Sequence, residues 1–342
     1  MNIKFSLLIL TGMFLMSAAN LNAQKQLNQA EDPAFKKASA HVDRGNTFAK
    51  KSKYSNAEKE YKKAINIMPN HIWAYYNLSK ICLMQKKEDQ AIKYLREAIR
   101  ANPDVAVIHN DLGNLYEDQK KYDAAVLEYK EAIRADPSLV LSYSNLGNAY
   151  THQAKYDLAE KMLLKAVELD AEAVYAYNNL GNVYLKKKMF NEAITMFNRA
   201  LEIAPNTPYV LNNLGYAYVL RGKPNFAIAS LRKAMELDAD NPFIYDNLGE
   251  AYVLKDDINE AIKQFDECLL RDPDFFIVYY KLGILYKRVK KINLAEKNFK
   301  KFLDYSKNMK FNKKVQGLIN EISKEKGLVE KNEYASNITH RQ

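Results

Sequence analysis

The chain has 342 residues, 48% of them apolar, and a mean hydropathy of −0.43, enough for a packed core and too much for wholesale disorder. Its net charge of +10 is lopsided: residues 276–342 hold 16 Lys or Arg against 6 Asp or Glu, and the other 275 residues balance. A basic excess confined to one end of an exported chain speaks against a nucleic-acid ligand, and offers a contact for an anionic partner or a membrane surface.

Met1 to Ala23 has the composition of a secretory signal. Lys4 supplies the positive start, and Phe5 to Met16 an apolar run shorter than the roughly 20 residues of a spanning helix. Small residues follow, with cleavage expected after Ala19 or Ala23. No cysteine lies near that position, so the chain is expected to be periplasmic or secreted and not a lipoprotein. Residues 24–37 read as a polar linker.

From 38 to 309 one 34-residue pattern runs eight times without insertion: 38–71, 72–105, 106–139, 140–173, 174–207, 208–241, 242–275 and 276–309. The clearest copy is Val174 to Thr207. Tyr177, Leu180, Gly181 and Tyr184 are spaced i, i+3, i+4, i+7 and form one stripe of an amphipathic helix. Lys186 to Lys188 form a polar turn, and Ala193, Phe197 and Ala200 mark the stripe of a second helix. Pro205 closes the unit, because proline cannot continue a helix. Thr207-Pro208 and Asn241-Pro242 read as an N-cap followed by a first-turn proline. Gly113, Gly147, Gly181, Gly215, Gly249 and Gly283 hold one phase of the first helix. Ala57, Ala91, Ala125, Ala159, Ala193, Ala227, Ala261 and Ala295 hold one phase of the second. Small residues at both places let backbones approach closely. The tyrosines Tyr116, Tyr150, Tyr184, Tyr218, Tyr252 and Tyr286 are expected in the core.

The Leu-Gly-x-x-Tyr…Ala…Phe…Ala…Pro pattern at this period resembles the tetratricopeptide repeat family over about four fifths of the chain. The resemblance implies an all-α, right-handed α-solenoid of eight helix-turn-helix units. Departures are local. Ser79 replaces the second unit's glycine, Ala171, Ala239 and Lys307 replace closing prolines, and Phe302 replaces an alanine. Residues 310–326 carry Val315, Leu318, Ile319 and Ile322 at helical spacing and read as a capping helix. Residues 327–342 read as a flexible tail.

No catalytic constellation, cofactor motif or metal-ligand spacing is expected. The histidines form no close pair, and the glycines are helix-packing glycines instead of a phosphate loop. Cys82 and Cys268 stand in repeats far apart along the chain and are expected as buried free thiols.

The informative face of the first helix is the one opposite its buried stripe, which a two-helix solenoid turns into its concave groove. One phase there gives Asn77, Asn145, Asn179, Asn213 and Asn247, with Asp43 and Asp111 in the gaps. Neighbouring phases add Asn110, Asn178 and Asn212, then Asn114, Asn148 and Asn182. Asparagine is a poor helix former, and its amide both donates and accepts, as an extended peptide backbone does. The row resembles the asparagine ladder in the repeat arm of O-linked N-acetylglucosamine transferases, without a catalytic domain. Two roles stay open: binding a ligand, or bracing neighbouring units. Trp73, Val107, Leu141, Tyr175, Tyr209, Phe243 and Ile277 share the face and are expected to be covered by the next repeat; if open, they add side-chain pockets. Lys80 and Lys281 are six repeats apart and cannot form one clamp for a carboxylate. The expected function is an exported, non-catalytic scaffold binding a protein or peptide segment in this groove, with oligomeric state unassigned. The alternative is a structural part of a cell-envelope export or secretion assembly, docking by its convex face or its basic end.

Overall fold

A computed structural model describes residues 32–307 and 309–339, with side chains through Lys324. The signal segment expected at 1–23 lies outside the described residues. Among these residues are seventeen α-helices and no strand. They are α1 (Pro33–Lys50), α2 (Tyr54–Ile67), α3 (Ile72–Met84), α4 (Glu88–Ala101), α5 (Ala106–Asp118) and α6 (Tyr122–Ala135). Next come α7 (Val140–His152), α8 (Tyr156–Leu169), α9 (Val174–Lys186), α10 (Phe190–Ile203), α11 (Pro208–Leu220) and α12 (Pro224–Leu237). The last five are α13 (Pro242–Leu254), α14 (Ile258–Arg271), α15 (Ile277–Arg288), α16 (Ile292–Tyr305) and α17 (Met309–Thr339). One compact unit ends at Leu169 and a second begins at Asp170.

Within each unit every odd-numbered helix packs on the even helix after it, and that helix on the next odd one. Odd helices also touch directly, α1 with α3 and α5 with α7 in the first unit, α9 with α11 and α11 with α13 in the second. This is the solenoid arrangement, in which each helix pair buries its apolar stripes against its neighbours.

The small residues have one defined partner each. The eight alanines are fully buried. A Cβ built on Gly181 would lie 2.4 Å from Cε1 of Phe197. The same conflict joins Gly45 to Tyr61, Gly113 to Tyr129, Gly147 to Leu163, Gly215 to Leu231, Gly249 to Phe265 and Gly283 to Phe299. The glycine therefore seats the large side chain of the second helix. In the one described repeat with serine instead, Ser79 is buried and ties its hydroxyl to the Tyr76 carbonyl at 2.6 Å.

The turn after each odd helix closes on a residue in the left-handed region: Ser52, Lys86, Lys120, Ala154, Lys188, Gly222, Asp256 and Lys290. The N–H one residue later returns to the helix, as Met189 does to the Tyr184 carbonyl at 2.8 Å. Only Gly222 holds this conformation without a Cβ penalty.

Two ends differ from expectation. Helix α1 starts at Pro33, inside the expected linker, because Asp32 caps it by accepting from the Ala34 N–H at 2.8 Å and Pro33 opens the first turn. Helix α17 runs to Thr339, through the stretch expected as a loose tail. No proline interrupts 310–339, and its two glycines, Gly317 and Gly327, cost only about 1 kcal/mol of helix propensity each. Its first half caps the second unit. Val315, Ile319 and Ile322 are buried against Tyr279, Phe299 and Phe302.

Cys82 and Cys268 are buried and free. Burial raises both thiols, that of Cys268 to about 12, so neither is a reactive thiolate.

Candidate protein-binding face

The odd helices keep one face clear of the even helices, and the asparagines concentrate there. The structure ties most of them to the neighbouring repeat. In the first unit Asn77 donates to Asn46 Oδ1 at 2.9 Å. Asn145 donates to Oδ1 of Asn110 at 3.0 Å and of Asn114 at 2.9 Å. Asn110 is buried and also accepts from the Ser142 hydroxyl at 3.2 Å. The Tyr129 hydroxyl oxygen lies 2.8 Å from Asn114 Oδ1. Asn148 donates to Glu117, whose other oxygen accepts from Tyr129 at 2.8 Å.

The second unit repeats the scheme. Asn213 donates to Asn178 Oδ1 and Asn247 to Asn212 Oδ1, each at 2.9 Å. At the next step the pair becomes ionic: Lys281 donates to Asp246 at 2.6 Å and pairs with Glu250 at 2.7 Å. Asn178 is buried and reaches Asn179 Oδ1 only at 3.4 Å. Asn182 is half-buried with no hydrogen-bond partner among the described residues.

The bracing role is therefore present at Asn145, Asn213 and Asn247. Each uses Nδ2 for the brace. No described residue takes its Oδ1, so the oxygen of each amide remains for a ligand, with one N–H at Asn213 and Asn247 and none at Asn145, whose two N–H groups go to Asn110 and Asn114. Lys281 is held by two carboxylates, and Lys80 lies 4.5 Å above the Tyr76 ring.

The apolar row is not covered as expected. Trp73, Val107 and Leu141 are exposed in the first unit, Tyr209 and Phe243 in the second. Tyr175 and Ile277 are half-buried. The next repeat does not reach over these side chains, because its contacts are made through the amide rung one turn further along the helix. Sequence reasoning missed a continuation of the row. Tyr216, Leu220, Leu254 and Ile284 are also exposed, at the helical phases of Asn182 and Lys186. The signal was available: position 34 residues after Asn182 is Tyr216, and the next after Lys186 is Leu220. In α11 both phases are thus apolar, α13 and α15 pair one apolar residue each with Glu250 and Arg288, and α5 and α7 present Asn114, Asp118, Asn148 and His152 there.

Two histidines pair with carboxylates across a helix pair. His109, buried in α5, bonds Glu128 at 2.7 Å and the Pro103 carbonyl at 3.0 Å. His41 bonds Glu60 at 2.7 Å, and Lys63 and His41 together hold that carboxylate at a pKa of about 2. Among the described residues no His, Cys, Asp and Glu cluster could hold a metal ion, and no helix is long and apolar enough to cross a membrane.

Helix pairs at a 34-residue period, glycine seats and capped turns all describe one architecture. The family profile of the cilia and flagella-associated protein 70 C-terminal domain matches residues 15–275, and a tetratricopeptide-repeat profile matches 277–309. The chain belongs to the tetratricopeptide-repeat family. Among solved structures, a tetratricopeptide repeat protein from Parabacteroides merdae is 17% identical with a TM-score of 0.60, covering 71% of this chain and 96% of that one. The APC/C hetero-tetramer Cut9-Hcn1 is similar at 16% identity and a TM-score of 0.62, over 88% of this chain and 59% of that one. The Pseudomonas aeruginosa protein pilF is similar at 16% identity and a TM-score of 0.54, over 62% and 97%. These likenesses show the fold. None of the curated proteins matches the chain. Tetratricopeptide repeats are scaffolds for protein–protein interaction.

Proposed function

We propose that the chain is an exported, non-catalytic scaffold that holds an extended segment of a partner protein on the open faces of its odd helices. The observation that carries this reading is the exposed apolar row at one-repeat spacing, Trp73, Val107 and Leu141, then Tyr209 and Phe243. Exposed apolar surface forgoes about 25 cal/mol per Å², and a contiguous patch of it marks an interaction site. Beside the row stand the spare amide groups of Asn145, Asn213 and Asn247, suited to a peptide backbone. Export rests on the composition of Met1 to Ala23.

The test leaves the amide brace intact. Replacing Tyr209 and Phe243 together by aspartate is expected to abolish capture of the partner cross-linked to the unaltered chain, with an unchanged helical spectrum. Undiminished capture by that folded variant sinks the reading.

One observation favours a second reading, a structural part of a cell-envelope assembly docking by the basic end. Lys290, Lys291, Lys300 and Lys301 are all exposed, with only Lys300 in an ion pair, to Glu296 at 2.6 Å. Reversing these four charges separates the two readings, since only the second predicts loss of assembly.

A further inference from the structure

We infer that the cavity between α1 and α3 is a subsite for a basic side chain, lysine or arginine, of the polypeptide segment lying on the adjacent open face. This inference rests on the proposed function above and names the partner's chemistry at one end of it. The cavity has a volume of about 360 Å³ and lies at the start of the described chain, within the range of small-ligand pockets. Its walls are aromatic. The indole of Trp73 is 45% exposed and held edge-on to Tyr76, with ring centroids 5.6 Å apart at 76°. Phe35 and His71 stack with centroids 5.5 Å apart at 15°.

The polar groups of the cavity include acceptors beside the N–H donors of Asn46, whose oxygen alone is taken, by Tyr61 and Asn77. His71 is buried, and burial lowers its pKa, so the ring is neutral. Its Nδ1 accepts from the Ala74 N–H at 3.3 Å, so Nε2 keeps the proton and donates to the Ser39 hydroxyl at 3.2 Å. Asn77 turns an N–H to Asn46 at 2.9 Å, and no described residue takes its Oδ1. The Asp43 carboxylate lines the same space with no ion-pair or hydrogen-bond partner among the described residues. The cations nearby are already placed. Arg44 is 3.6 Å from Glu60, and Lys80 lies over the Tyr76 ring. An unpaired carboxylate and a free amide oxygen between aromatic rings match a cation, which ring faces attract electrostatically. A neutral or anionic occupant would leave Asp43 desolvated without a partner.

Trp73 is the sole tryptophan of the chain, so its fluorescence reports this cavity directly. The probes are an acetylated, amidated alanine–serine decapeptide with one central arginine and its counterpart with citrulline, which has the same shape without the charge. The arginine peptide is expected to shift Trp73 emission with an affinity about tenfold above the citrulline peptide. Asp43→Asn, at an exposed position, is expected to bring the two together with an unchanged helical spectrum. Equal affinities in the unaltered chain, an arginine preference that survives Asp43→Asn, or no response of Trp73 to either peptide overturns the subsite. A third chain, with Val107 and Leu141 both replaced by aspartate, separates this from the parent reading. Weaker binding of both peptides at a constant ratio supports both claims. An unchanged arginine affinity in that chain leaves the subsite standing and sinks the open-face reading.

Discussion

Asn213 donates an N–H to Oδ1 of Asn178, one repeat earlier, at 2.9 Å. The acceptor is buried and the donor half-buried, so the bond joins two repeats where water does not substitute fully. Asn247 with Asn212 and Asn145 with Asn110 repeat the geometry. The asparagines thus tie one repeat to the next.

This relationship gives the first prediction. Asn213→Ala leaves the Asn178 oxygen buried without its donor, a loss of about 1–2 kcal/mol. Urea unfolding of Asn213→Ala, Asn178→Ala and the double variant checks it. The double variant is expected to lose less than the sum, because the second change removes the stranded acceptor. Additive losses would mean that the amides do not act as a pair.

A second prediction follows from the seat that Gly181 makes for Phe197. Gly181→Ala places a methyl 2.4 Å from the ring, an overpacking cost of about 1–3 kcal/mol. Phe197→Ala in the same chain is expected to remove that overpacking, so that Gly181→Ala costs much less in the Phe197→Ala background than in the unaltered chain. Thermal unfolding of both variants decides. No recovery would show that the ring is not the obstruction.

Much of this was legible in the sequence, and the limits have physical causes. The alanine phase, the helix pairs and the capping role of Val315, Ile319 and Ile322 follow from spacing alone, because burial repeats with the helix period. The glycine's partner did not, since it depends on which side chain of the facing helix lies closest. For the asparagines the face was legible and the bonding was not. A bond from Asn213 to Asn178 depends on the rotation between repeats, which no single helix encodes. The same rotation decides that Trp73, Tyr209 and Phe243 stay uncovered. Tyr216, Leu220, Leu254 and Ile284 were overlooked because the polar phases of one copy, Val174 to Thr207, stood for all.

The third prediction concerns pH and sets two histidines against each other. Burial pulls the His109 pKa down, but the Glu128 carboxylate at 2.7 Å outweighs it and the net direction is up. A raised value stabilises the fold fully below the ordinary 6.5, and that share is lost as pH rises through the folded value above it. Burial lowers His71, so its share is present above 6.5 and lost as pH falls below. Together they place a stability maximum near that pH. Protonation also removes the Nδ1 acceptor that caps α3. Unfolding free energies from pH 5 to 8 are expected to fall on both sides. His109→Gln should flatten the alkaline limb and His71→Asn the acid limb. An alkaline limb unchanged in His109→Gln contradicts the assignment.

The central claim is that partners meet the open face of the odd helices, and site-specific photo-cross-linking tests it most directly. A benzophenone amino acid replaces Phe243 on α13, 59% exposed, or Leu270 on α14, 75% exposed, in otherwise identical chains. The account predicts a discrete partner adduct from position 243 and none from position 270, although the second is the more accessible. Adducts from position 270 with none from position 243 would contradict it and place the partner on the even helices.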